Sequence, residues 1–272
     1  MGLAEDLFSL RGKVVVIIGA TGLLGTEYVK TVAAAGGVPV VVDVNKDRCI
    51  QLAGEVNSAF RCGAFALPAN ILSEDDIVWV FEQTVEHFGK VDALVNNAQV
   101  KPEGFYAPFE KYTKETLMTV VDGNLVAVVL SCRQACLRFA EQGYGTIVNV
   151  ASTYGLVGAD QRIYDGVKNI YFPEERFSSP VSYAITKAGI VNLTRYLAAY
   201  YRGTKIRVNC LTPGGVYESH DEQFTTNYSY RTILGRMADK TEYNGALLYL
   251  LSEASSYMNG ANLVVDGGWT AL

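Results

Sequence analysis

The chain has no run of basic residues longer than two, no cysteine pair at metal-ligand spacing, and only two histidines. With a net charge of -5, the missing basic patch excludes a general nucleic-acid binder. The five cysteines, Cys49, Cys62, Cys132, Cys136 and Cys210, are odd in number and scattered. That pattern excludes a disulfide scaffold and suits a reducing compartment, with the cytoplasm as the expected location. Cys132 and Cys136 stand one helical turn apart and read as small core residues. His87 and His220 are too isolated to propose a metal, and both read as surface residues. The start, "MGLAEDLFSLRGK", lacks the basic-then-apolar pattern of a signal peptide. No apolar run approaches the length needed to cross a bilayer, so no membrane partner is expected. No Pro- or Ser-rich linker and no internal repeat divides the chain, which reads as one domain over 1–272.

What the sequence does hold is a series of short β-branched runs: "KVVVII" (13–18), "VPVVVD" (38–43), "VDALVN" (91–96), "GTIVNVAS" (145–152), "IRVNCLT" (206–212) and "NLVVDG" (262–267). A weaker candidate lies within 60–70. Most are apolar almost throughout, as strands buried on both faces of a parallel sheet must be. Helix-length segments alternate with them at roughly 22–35, 46–56, 73–88, 113–142, 181–202 and 239–253. This predicts a doubly wound α/β domain with a seven-stranded parallel sheet. Two long irregular stretches, 155–180 and 214–237, interrupt the rhythm. Both follow predicted strand ends, where open α/β sheets place ligands, and both are expected to be substrate loops.

Between the first strand and helix, "GATGLLG" spaces Gly19, Gly22 and Gly25 three apart. A diphosphate needs a tight turn with close backbone approach, then a helix N-terminus offering free N–H groups. Asp43 ends the second strand about twenty residues later. An acid there suits the ribose hydroxyls of NAD and repels the extra phosphate of NADP, although Lys46 and Arg48 lie close by. NAD is the expected cofactor and NADP the alternative. Tyr-x-x-x-Lys occurs at 164–168, 183–187 and 201–205. The first and last carry an internal glycine, which disfavours a helix holding the pair in register. "YAITK" has none, follows Pro180, and continues into an apolar stripe of Ile190, Leu193 and Leu197. Tyr183 and Lys187 are therefore expected one turn apart on one helix face, where an ammonium would ease ionisation of the phenol.

With the glycine loop, "VNNA" (95–98), "DGN" (122–124), "VNVAS" (148–152), "YAITK" and "TPGG" (212–215) in this order, the chain resembles the short-chain dehydrogenase/reductase family, over essentially its whole length. The context of "YAITK" further resembles bacterial oxidoreductases of surface-polysaccharide, flagellin-modification and sialic-acid-like sugar biosynthesis. The resemblance implies a Rossmann-type fold and a catalytic set. Tyr183 would be general acid/base and Lys187 its modulator and ribose ligand. Ser152 would bond the substrate oxygen, and Asn124 would fix a relay water. It further implies a cofactor groove of Gly19, Thr21, Gly22, Leu23, Leu24, Gly25, Asp43, Asn70, Ile71, Asn97 and Ala98, with Pro213, Gly214 and Val216 near the nicotinamide. There are departures. Leu23 stands where the middle glycine is expected, Gln99 replaces the glycine after "NNA", Asn70 replaces an acid, and Glu218 replaces a threonine.

The expected activity is interconversion of a secondary alcohol and a ketone, on a small molecule that is a carbohydrate derivative. Tyr154, Arg162, Tyr164, Tyr217 and His220 are the candidate substrate contacts, because tyrosines and arginines suit a hydroxyl-rich or anionic ligand. A reductase of acyl or small hydrophobic ketones and a non-catalytic NAD-binding regulator are the rival readings. Family members often form homotetramers or homodimers, and the apolar helices 113–142 and 181–202 are the expected interface elements.

Overall fold

The computed structural model describes residues 2–272. β1 (Val14–Ile18), β2 (Val38–Asp43), β3 (Phe65–Pro68), β4 (Ala93–Asn96), β5 (Tyr144–Val150), β6 (Lys205–Pro213) and β7 (Asn262–Val265) form a seven-stranded sheet in the order β3-β2-β1-β4-β5-β6-β7. Every pairing is parallel. Side chains alternate across a strand, so each central strand feeds two cores. Val14, Val16 and Ile18 of β1 pack on one side with Phe81 of α4 (Glu74–Phe88), Phe139 of α6 (Ala127–Gln142) and Ile190 of α7 (Val181–Tyr200). Val15 and Ile17 face the other core, with Tyr28 and Val32 of α2 (Leu23–Ala34), Leu52 of α3 (Lys46–Phe60) and Leu247 of α9 (Asn244–Leu251). Burial on both faces explains why the strands read as unbroken apolar runs.

The chain runs outward from β1 in both directions, to β2 on one side and β4 on the other. A crevice therefore opens at the carboxyl ends of these strands. Some helices carry side-chain caps, while α1 (Leu3–Phe8), α6, α7 and α9 do not. Asn45 accepts from Arg48 N–H at α3, Ser73 from Asp76 N–H at α4, and Thr113 from Thr116 N–H at α5 (Lys114–Val121). At α2, which faces the crevice, the cap residue is Gly22 and no side chain fills the role.

The structure departs from the sequence reading in several places. The stretch 214–237 is not irregular throughout, because α8 (Glu222–Arg231) lies within it. Its sequence, EQFTTNYSYR, is poor in strong helix formers and has no apolar period. The Asp221 cap and the burial of Tyr228 hold it instead. A six-residue α1 (Leu3–Phe8) was likewise illegible, having no buried face. The helix expected over 113–142 is α5 and α6 joined by a π-helical turn, Asp122–Val126. That junction makes Lys114–Gln142 one helical run, long and apolar enough to cross a membrane by length and composition alone, though its apolar stretches are short and interrupted by polar residues. Cys132, Ala135, Cys136 and Phe139 on its inner face belong to the sheet core.

Candidate active site

A cleft of about 900 Å³ occupies the crevice. At one end the glycine loop is shaped by backbone contact. Gly19 has φ +79°, and a Cβ there would lie 2.5 Å from the Ala98 backbone. A Cβ on Gly25 would lie 2.0 Å from the Gly19 carbonyl oxygen. Gly22 meets nothing closer than 3.7 Å, so its side-chain direction is open beside the cleft. Asn97 Nδ2 donates to the Gly19 carbonyl at 2.9 Å, tying the end of β4 to the loop. Asp43 accepts from Thr21 N–H at 3.0 Å, which fixes its carboxylate beside the loop. Arg48 is drawn to Glu55 at 3.1 Å. Gly19, Thr21, Gly22, Leu23, Leu24, Asp43, Asn70, Ile71, Asn97, Ala98, Pro213, Gly214 and Val216 all line the cleft, whereas Gly25 is buried beneath it.

At the centre, Ser152 at the end of β5 and Tyr183 in the first turn of α7 face the same space. Ser152 Oγ accepts from Tyr154 N–H at 3.3 Å. Lys187 lies one turn on, buried, with Nζ donating to the Val150 carbonyl at 2.8 Å and 5.7 Å from the Tyr183 ring centre. Of the three Tyr-x-x-x-Lys pairs, only this one is carried within a helix. Tyr201 caps the end of α7, and Tyr164 lies in the 155–180 loop. The expected electrostatics are reversed. Burial pushes the Tyr183 phenol up, with Ser152 opposing, and burial pushes the Lys187 ammonium down to about 8. Desolvation disfavours both charged forms, and the ammonium is turned to a carbonyl rather than the phenol. Asn124 is buried in the π-helical turn, and both ends of its amide are engaged by Val100. Oδ1 accepts from Val100 N–H at 2.6 Å and Nδ2 donates to the Val100 carbonyl at 3.1 Å. Its side chain therefore anchors the strand-end loop, and the π-helical turn, where the regular hydrogen-bond ladder is broken, is a feature the sequence did not disclose.

The far end is built from the two long loops. Tyr154, Tyr164 and His220 line it, as do Lys101, Phe105, Tyr106, Ser179, Phe224, Tyr228 and Met237. Tyr217 and Arg162 do not. Tyr217 is about half exposed, and Arg162 points to solvent and is paired with Asp160 at 2.7 Å. Arg231 also reaches Asp160, at 3.1 Å, and Arg176 pairs with Asp165. The loop arginines thus hold the loops together and leave the cleft. Lys101, Phe105 and Tyr106 carry no motif, and their one legible signal was their place just past the end of β4. Among the described residues, no group of three or more His, Cys, Asp or Glu side chains could hold a metal ion.

Comparison with known proteins agrees with this geometry. Residues 13–166 match the family model described as short chain dehydrogenase, and 169–270 match that described as enoyl-(acyl carrier protein) reductase. The chain belongs to the short-chain dehydrogenase/reductase family. It is similar to post-translational flagellin modification protein A of Campylobacter coli, at 28% identity over 96% of this chain and 99% of the relative. It is also similar to the NADP-dependent mannitol dehydrogenase of Hypocrea jecorina, at 31% identity over 97% and 95% of the two chains. A solved short-chain dehydrogenase from Leptospira borgpetersenii with bound NAD+ matches with a TM-score of 0.83 and 30% identity, covering 99% and 96%. This short-chain dehydrogenase/reductase is thus an NAD(P)-dependent oxidoreductase. The uncapped α2 N-terminus, the open side of Gly22 and the cleft beneath them suit a dinucleotide diphosphate.

Proposed function

We propose that the protein interconverts a secondary alcohol and a ketone with NAD(H), on a carbohydrate derivative, and that Tyr183 is its general acid/base. The observation that carries this is that Ser152 and Tyr183 line the same cleft as the glycine loop, with Lys187 one helical turn behind Tyr183. A bound NAD(P) supplies or accepts the hydride. The chain's part is to bind, orient and move a proton. In the reductive direction the substrate oxygen gains negative charge, and the Ser152 hydroxyl donates to it while Tyr183 Oη delivers its proton. Lys187 holds a positive charge behind the phenol as it loses that proton. Burial makes the phenol costly to ionise and lowers the ammonium to about 8. Asn124 keeps Val100 and the loop after β4 in place at the floor.

Asp43, fixed by Thr21 N–H at the cleft wall, favours NAD, since its carboxylate would face the ribose hydroxyls and repel a phosphate there. The hydroxyl-lined far end favours a polyhydroxylated substrate, in keeping with the flagellin-modification and mannitol-dehydrogenase relatives. A homo-oligomer is supported by apolar side chains left exposed on the long helices: Met118, Val129 and Leu137, and Ile185, Tyr196 and Tyr200. The unpaired cysteines suit the cytoplasm. The test is nicotinamide absorbance with NAD(H) and NADP(H), offered against sugar derivatives, polyols and hydrophobic ketones. Turnover of a sugar or polyol with NAD(H) is the expected result. Turnover of hydrophobic ketones alone would remove the carbohydrate assignment.

A further inference from the structure

The loop after β6 lines the cleft through Pro213, Gly214 and Val216. One peptide plane in it, joining Gly214 to Gly215, is held at both ends by side chains. Gly215 N–H donates to Tyr228 Oη of α8 at 2.5 Å, and Tyr243 Oη donates to the Gly214 carbonyl at 3.2 Å. The groups on either side of this plane have main-chain partners. Gly214 N–H donates to the Val265 carbonyl at 2.8 Å, and the Gly215 carbonyl accepts from Ala238 N–H at 2.9 Å. A peptide between two glycines turns easily, because no Cβ on either side resists it. Yet the fold admits only glycine at both places. A Cβ on Gly214 would lie 2.8 Å from Asp266 Cα, and one on Gly215 would lie 2.4 Å from the Tyr228 ring. A cavity of about 60 Å³ borders both glycines and both tyrosines, so close packing does not lock the plane from behind. The two hydroxyls do so instead. Their rings are fixed independently: Tyr228 stacks on Trp269 at 4.5 Å, and Tyr243 is buried in the core with Leu247 and Leu250.

We infer that Tyr228 and Tyr243 are positioning residues for the nicotinamide end of the cofactor. Together they set the orientation of the Gly214–Gly215 peptide at the cleft wall, and with it the surface offered to that ring. Neither acts on the adenosine end, which is built from the glycine loop and Asp43. The inference rests on the dinucleotide reading above, with the nicotinamide beside Gly214. Removing either hydroxyl leaves one peptide group without its partner and frees the plane to turn, so affinity is lost at the ring and kept elsewhere.

The experiment measures Kd by calorimetry for NADH and for ADP-ribose, which lacks the nicotinamide, with NADPH and 2′-phospho-ADP-ribose run in parallel. The proteins are wild type, Tyr228→Phe, Tyr243→Phe and Asn227→Ala, each checked for folding by urea unfolding. Both phenylalanines keep the ring packing and remove only the hydroxyl. Asn227 is the neighbour of Tyr228 in α8, but its Nδ2 donates to the carbonyls of Ile163 at 3.1 Å and Asp165 at 2.9 Å, so its loss loosens the helix without touching the peptide. Tyr228→Phe and Tyr243→Phe should each raise the ratio of the NADH Kd to the ADP-ribose Kd at least fivefold, and Asn227→Ala less than twofold. A merely loosened fold would weaken both ligands together and leave the ratio alone. Should one tyrosine variant fail to fold, the other decides. A smaller rise in a folded tyrosine variant, or an equal rise in Asn227→Ala, overturns the inference alone. A wild type that binds none of the four ligands overturns the dinucleotide reading, and this inference with it.

Discussion

The two ends of the cleft are made differently. The end proposed for the cofactor is made of backbone: a glycine at φ +79°, a helix start with no capping side chain, and one carboxylate pinned by a main-chain N–H. The end proposed for the substrate is made of side chains on loops, with aromatic rings stacked on one another and carboxylates spent on neighbouring arginines. Backbone shape tolerates almost no change, whereas a side-chain wall can be rebuilt one residue at a time. Replacements at the first end should therefore cost stability or cofactor, and replacements at the second should redirect substrate.

The largest effect is expected at Gly19. An alanine there would have to hold a left-handed backbone and place its Cβ 2.5 Å from Ala98, so Gly19→Ala should cost more than about 3 kcal/mol in urea unfolding and abolish NADH binding. A cost below about 1 kcal/mol would mean that the loop is not set by this contact.

Next comes Lys187, at the boundary of the two ends. Its folded pKa is depressed to about 8 from an ordinary 10.5, so the unfolded chain binds more protons between those values. Wild-type stability should carry a Lys187 cost that is full below pH 8 and fades as pH rises from 8 to 10.5. The shift corresponds to an upper bound of about 3 kcal/mol. Lys187→Met should therefore gain stability over wild type at pH 7, less whatever its lost bond to Val150 costs, and the difference should narrow toward pH 10.5. A difference that is flat with pH would contradict the burial argument.

A smaller effect is expected at Asp43. Asp43→Ser should lower the NAD/NADP ratio of kcat/KM about tenfold, or roughly 1.4 kcal/mol, with little change in the alcohol used. An unchanged ratio would remove Asp43 from cofactor choice. The smallest belongs to the loops. Asp160 is held at about 2 chiefly by its hydrogen bond from Arg162, so its contribution is present above the ordinary carboxylate range and is lost as pH falls through 2. Asp160→Asn should cost at most about 1 kcal/mol at pH 7 and raise KM for substrate while leaving NADH affinity alone. A raised NADH Kd would show the two ends to be coupled.

The same contrast decides what could be read in advance. The sheet was legible because strands buried on both faces must be apolar throughout, and β2 begins and ends at the expected residues. The glycine loop and the Tyr183–Lys187 pair were legible because backbone geometry and helical spacing restrict which residues serve. The π-helical turn at Asp122–Val126 was not, since nothing in the residue pattern distinguishes one extra residue in a helical turn. Nor was α8, whose residues are weak helix formers held by tertiary contact. Arg162 misled for a related reason. Its charge suggested an anionic ligand, but Asp160, two residues away, satisfies it. Lys101 and Tyr106 escaped because a wall residue needs only to be near, and nearness across loops leaves no spacing in the chain.

The central claim is that Tyr183 moves the proton at the reacting oxygen. Its most direct test compares wild type with Tyr183→Phe on one alcohol that the wild type oxidises, measuring kcat and the Kd for NADH in parallel. The predicted result is a kcat lowered at least a thousandfold with NADH Kd changed less than twofold. A kcat within tenfold of wild type, at equal NADH affinity, would contradict it.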